Sequence, residues 1–176
     1  KLLKSRDREK EQKKESRSLQ KTKTNALSAS TIKFASFLWL NKMLLGCVKQ
    51  FEHKSDLGRL AALKNILKNK KVRFVEQKYK YLAFNGTNII VDCGNRKSKN
   101  YIILSAHFDV VSGSPGANDD ASAIAILIDV IEKLRKLKLK KRVRICFFDD
   151  EEIGRFGSIS YIKKYGMKGL LAVYNL

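Results

Sequence analysis

The sequence predicts an α/β domain with a mostly parallel central sheet, and three observations carry that prediction. Three apolar runs, Tyr101–Ala106 (YIILSA), Val143–Phe148 (VRICFF) and Leu170–Leu176 (LLAVYNL), read as core strands, the first buried on both faces. The stretches between them carry helical spacing, so strand, helix, strand, helix and strand alternate along the chain. The first run is followed by a Gly/Ser/Pro loop that opens the next helix.

Taken in order, residues 1–30 are polar and of mixed charge. They offer too little apolar surface to fold alone, and read as a basic, disordered tail or a fraying helix. The α/β domain is assigned to residues 31–176. Phe34–Val48 places Phe34, Phe37, Leu38, Leu44, Leu45 and Val48 near helical spacing, as in an amphipathic helix that docks on the domain. A second reading is a secretion signal, because Leu44-Leu45-Gly46-Cys47 resembles a lipoprotein cleavage site; Asn41 and Lys42 interrupt its apolar stretch. Asp56 is placed as the cap of a helix reaching Leu67, stopped by the lysine cluster Lys68–Lys71. Strand-like segments follow at Val72–Tyr79, Tyr81–Phe84 and Asn88–Asp92, with turns at Asn85-Gly86 and Cys93-Gly94-Asn95. Between the apolar runs, Asp120–Lys138 reads as a helix through Ile124, Leu127, Ile128, Ile131 and Leu134, and Ile159–Tyr165 as a short one.

The 176 residues carry 37 Lys and Arg against 17 Asp and Glu, a net charge of +20. Such a balance invites a nucleic-acid or anionic-membrane reading. The charge is dispersed, however, and no basic–aromatic RNP pattern or zinc-finger spacing accompanies it, so no specific nucleic-acid partner is expected. No run of 18 apolar residues exists, so no ordinary transmembrane helix is expected. Cys47, Cys93 and Cys146 lie far apart and exclude a disulfide scaffold or a CxxC zinc ribbon. No GxSxG is present, and Cys146 falls inside a strand candidate, which disfavours a serine or cysteine nucleophile.

In open α/β sheets, ligands bind beyond the carboxyl ends of the strands. The polar residues concentrate there: His107-Phe108-Asp109 after the first run, Asp149-Asp150-Glu151-Glu152 after the second, and Gly116-Ala117-Asn118-Asp119-Asp120 at the start of the intervening helix. Taken singly, His107 reads as a structural histidine, Asp119 and Asp120 as helix caps, and the acidic run as a solvated loop. Together they form a mixed His/carboxylate set of the kind that binds zinc or another divalent transition metal.

The strings SAHFDVVSGSPGANDDAS and VRICFFDDEEIGRFGS carry three ordered blocks: HxD, GxNDxxS and EExGxxGS. In these blocks the chain, from roughly Leu57 to Leu176, resembles the zinc-dependent exopeptidases of the aminopeptidase Y and bacterial leucyl aminopeptidase family. The resemblance implies a three-layer α/β fold and a site for two zinc ions. It implies His107 as a ligand of one ion, Asp109 as the group that orients its imidazole, and Asp119 as the carboxylate bridging both ions, followed by a cis peptide bond. Glu151 is implied as the general base and Glu152 as the ligand of the second ion. Peptide or protein N-termini are the implied substrates. The family is commonly secreted, so the resemblance is compatible with a secreted or cell-envelope location, but the N-terminus shows no clean signal and localisation stays open.

The family pattern also requires an Asp directly after the strand matched by LLAVYNL and a His much later. The sequence ends before either, and His53 does not match the missing position. The chain therefore reads as an amino-terminal portion of such a peptidase or as a degraded relative, with an incomplete ligand set, inactive or feebly metal-binding by itself. Two other functions fit the same residues: a glutaminyl cyclase-like acyltransferase of the same architecture, and a non-catalytic binding protein on a peptidase scaffold.

Overall fold

The structure, a computed structural model, describes residues 40–176; the predicted tail and the start of the first apolar helix lie outside the described residues. Residues 40–48 are helical, and Leu44–Leu176 form one compact unit. In that unit helix α1 (Asp56–Asn69) is followed by strands β1 (Val75–Tyr81), β2 (Phe84–Gly94) and β3 (Tyr101–His107). An irregular turn, Ala117–Ala121, then leads into α2 (Ser122–Leu134), β4 (Arg142–Phe148), α3 (Phe156–Tyr165) and β5 (Leu170–Asn175).

The five strands form one sheet in the order β1-β2-β4-β3-β5. The β4-β3-β5 part is parallel, as the strand–helix alternation requires. The β1–β2 hairpin extends it antiparallel, because two strands joined by a short turn can pair only that way. Alternate residues along β2 go to opposite faces. Ile89, Val91 and Cys93 join Leu63, Leu67, Leu127 and Ile131 of α1 and α2 in the larger core. Ile90 joins Ile103, Cys146 and Tyr161 of α3 in the smaller one. Helices on both faces make the three-layer α/β architecture.

Three local expectations are corrected. Asp56 does not cap α1. Ser55 does, its Oγ accepting the Gly58 N–H at 3.3 Å, while Asp56 Oδ1 reaches across to accept the Val110 N–H at 3.0 Å. The hairpin turn falls at Leu82-Ala83, not at Asn85-Gly86, which lies inside β2. Gly86 faces Tyr79, whose ring occupies the space a Cβ would take on its way to Asp150. The glycine thus serves close approach rather than a turn. LLAVYNL forms β5, but as an edge strand: it pairs only with β3 among the described residues, and Leu171, Val173 and Tyr174 are exposed.

Two polar clusters tie the layers, one toward each end of the sheet. Arg144 on β4 grips Asp92 on β2 with two bonds of 2.8 Å and donates to the Tyr161 hydroxyl at 3.1 Å. Buried Asn88 donates to Gln77 on β1 at 3.2 Å and to the Gly157 carbonyl at 2.8 Å, and accepts the Asp149 N–H at 3.1 Å. The segment after β4 is thereby fastened to β2 before it turns into α3.

Candidate metal centre

His107 and Phe148 end β3 and β4 as register partners, so the segments that follow both strands emerge side by side. Topology alone therefore delivers the HxD block and the acidic run to one rim. The third block arrives through Ala117–Ala121, where the Asp119–Asp120 peptide bond is cis, as the family resemblance implies.

His107 is 9% exposed and engaged at both ring nitrogens. Nδ1 lies 3.3 Å from Asp109 Oδ1, and Nε2 lies 2.9 Å from Asp119 Oδ1. Asp109 is buried, and its other oxygen accepts the Glu152 N–H at 2.9 Å. Asp120 is buried below, accepting the His107 backbone N–H at 3.1 Å. Ligand atoms of His107, Asp119 and Glu152 all come within 4.8 Å of one another. The structure thus brings these three together, with Asp109 behind the imidazole. Glu151 stands beside them and pairs with Arg155 at 3.3 Å.

The charges respond to this crowding. Burial disfavours the His107 imidazolium, but the hydrogen bond and charge of Asp109, with Asp120 and Asp119, outweigh it and lift the group to about 9. Burial would raise Asp109, yet the hydrogen bonds from His107 and from the Glu152 and Glu151 amides hold it below the usual carboxylate range. Burial, aided by the charge of Asp119, pushes Asp120 up to about 6 against the pull of His107. Glu152 is raised by desolvation and then by the charge of Asp119.

A nitrogen donor and two carboxylates converging on one point, with the distal imidazole nitrogen held by a buried carboxylate, is a donor set that fits zinc. Two cavities of about 390 and 540 Å³ flank it. His107, Glu151 and Asn175 line both; Val173 and Arg155 line the first, Asp119 and Ile126 the second. His53 lies elsewhere, on the cavity beside the start of α1.

The structure adds participants that the sequence reading left out. Arg59 is fully buried on α1 and donates to the Gly116 carbonyl at 3.1 Å, where the turn carrying Asp119 begins. Tyr79 donates to Asp150 at 2.8 Å, and Asn88 holds Asp149. Arg59 had a signal, a lone arginine on the apolar face of a helix; Tyr79 and Asn88 had none.

Comparison with known proteins agrees with this geometry. Residues 88–176 match the family described as Peptidase family M28, and the chain belongs to that family. It is 38% identical over 82 residues to aminopeptidase Y of Saccharomyces cerevisiae, and 33% identical over 76 residues to aminopeptidase YwaD of Bacillus subtilis. Those matches cover 46% and 43% of this chain but only 15% and 17% of the relatives, so the chain spans a small part of their length. Among solved structures, a zinc aminopeptidase from Bacillus subtilis superposes with a TM-score of 0.50 at 27% identity, over 54% of this chain and 25% of that one. A glutaminyl cyclase from Bacteroides thetaiotaomicron gives a TM-score of 0.58 at 19% identity, over 76% of this chain and 59% of that one; this is a likeness of fold.

Proposed function

We infer that this chain carries part of the catalytic centre of a metal-dependent exopeptidase acting on peptide N-termini. The observation that supports this reading most strongly is the convergence of His107, Asp119 and Glu152 at the carboxyl ends of β3 and β4. His107, Asp119 and Glu152 would hold the zinc, and Asp119, with two carboxylate oxygens, is the residue that could serve a second ion. Zinc bound there supplies Lewis acidity toward a peptide carbonyl. Asp109 holds His107 by Nδ1, leaving Nε2 as the donor nitrogen. Glu151, which lines both cavities beside His107, takes a proton from the attacking water and returns it to the leaving amine. Adjacent glutamates divide ligand and base because a base must stay off the metal. The catalytic unit is assigned to residues 31–176.

Zinc titration by calorimetry tests the assignment without requiring turnover. The parent and Glu151→Gln are expected to bind zinc alike, while His107→Ala, Asp119→Ala and Glu152→Gln lose affinity. Equal binding by all five proteins removes the site. In a longer form of the protein, Glu151→Gln is expected to lower hydrolysis of amino-acid anilides about 10²–10⁴-fold. Cyclisation of glutaminyl peptides in place of that hydrolysis establishes the acyltransferase alternative.

A further inference from the structure

We propose that the end of the sheet opposite the metal centre is a docking surface for an anionic lipid bilayer. Four segments meet there: 68–73, 94–100, 135–142 and 166–169. The Asn95 N–H donates to the Lys141 carbonyl at 3.3 Å, and the Tyr101 N–H to the Gly169 carbonyl at 2.9 Å. Arg135 grips the Lys70 and Lys71 carbonyls at 3.0 and 3.1 Å. The four segments hold fourteen lysines and arginines and no aspartate or glutamate. The carboxylates that border them are already engaged: Glu132 with Lys70, Asp129 with Lys133, and Asp92 with Arg144. Lys68, Lys71, Lys97, Lys138, Lys140 and Lys141 are exposed. The acidic residues of the metal centre lie at the other end of the same strands, so the domain is electrically two-ended.

The chemistry of this end favours a bilayer over a nucleic acid. Ten of the fourteen cations are lysines. Of the arginines, Arg135 is committed to backbone carbonyls and Arg142 lies over the Tyr101 ring at 4.5 Å. Few planar guanidinium forks are left for phosphates or bases. The four segments contain no aromatic residue on which a base could stack. They do present Leu137 and Met167, 56% and 61% exposed, among the lysines. Headgroups accept apolar side chains flanked by cations, and each added cation strengthens attraction to an anionic leaflet. A groove of about 410 Å³ combines Arg96, Arg135 and Lys138 with Leu137 and Leu139. Docked on this end, the strands point away from the bilayer. The seven residues of β3 hold the metal centre about 23 Å from it, in water.

Vesicle flotation with the full chain tests the proposal. Binding to phosphatidylserine-rich vesicles is expected at about 0.1 M salt and is expected to vanish near 1 M, where screening shortens to about 3 Å. Vesicles of phosphatidylcholine alone are expected to bind weakly or not at all. Lys138→Glu/Lys140→Glu/Lys141→Glu is expected to weaken binding at least about tenfold. Lys54→Glu/Lys78→Glu/Lys80→Glu, equal in charge but placed elsewhere, is expected to change it by less than about threefold. Residues 1–30 are present in both variants, so their charge cancels from the comparison. Leu137→Ser, which alters no charge, is expected to weaken binding with the salt response unchanged, and it reports on the surface even if the triple variant fails to fold. Equal weakening by the two triple variants overturns the proposal, as does absence of phosphatidylserine binding. A DNA duplex bound more tightly than the vesicles, and lost in the first triple variant, makes the surface a nucleic-acid site instead.

Discussion

The Glu152 amide donates to Asp109 Oδ2 at 2.9 Å, so the segment after β4 is tied to the segment after β3 by the same carboxylate that holds His107. One buried side chain thus sets the orientation of an imidazole and the position of a neighbouring glutamate. Asp109→Asn cannot accept at both oxygens. Zinc affinity is expected to fall about 10–100-fold, as for outer partners of metal-bound histidines. Calorimetry on Asp109→Asn beside the parent checks this, and unchanged affinity removes Asp109 from the site.

The Tyr79 hydroxyl reaches Asp150 by passing over Gly86. Gly86→Ala places a methyl group in the path of that side chain and is expected to cost about 1–3 kcal/mol. Tyr79→Phe leaves Asp150 short of a donor and is expected to cost about 1–3 kcal/mol. Because the two residues share one contact, their effects are expected to be non-additive in a double-mutant cycle followed by urea unfolding. Additive costs mean that Gly86 and Tyr79 act independently.

Asp149 is buried and pushed up to about 6 by desolvation, with smaller contributions from the charges of Asp150 and Asp109 against the Thr87 N–H bond. A raised folded-state value means that the folded chain holds this proton more tightly than the unfolded chain. The associated stability is fully present below the ordinary value of 3.8 and is lost as pH rises through about 6. Asp149→Asn removes that titration. The stability of the variant relative to the parent is expected to rise, by on the order of 3 kcal/mol, between about pH 4 and pH 7. Unfolding curves across that range measure it, and a constant difference contradicts the assignment.

All three cysteines are unpaired, and burial raises each thiol: Cys47 to about 11, with Cys93 and Cys146 also shifted upward. The thiolate is the reactive form, so alkylation by iodoacetamide near neutral pH is expected to be slow in the folded protein and rapid in denaturant. Fast labelling of Cys146 in the folded chain is the outcome that contradicts its burial in β4.

The α/β class was legible because β3, β4 and α2 are buried on the periods their sequences display. The convergence of His107, Asp119 and Glu152 was legible because acidic residues collected after strands, and because three spaced blocks resembled one family. What escaped the sequence was tertiary. Asn85-Gly86 reads as a turn by composition, yet its glycine answers to Tyr79, which lies across a hairpin. Asp56 looks like a cap, but the serine before it performs that task and frees the carboxylate for Val110. β5 has the apolar content of a core strand, and periodicity cannot report how many neighbours a strand will find.

The strand order has a kinetic consequence. Only β1 and β2 are joined by a local turn; β2–β4 and β3–β4 link distant parts of the chain, and the latter spans the whole of α2. Loop-closure entropy must be overcome before such pairings contribute, so helices and the β1–β2 hairpin can form early while the centre of the sheet closes late. His107 ends β3 and Glu152 lies in the turn that follows β4, the two strands of that late pair. No partly folded state that lacks β3–β4 pairing brings them together, so their convergence emerges with a long-range closure rather than with the local helices and hairpin.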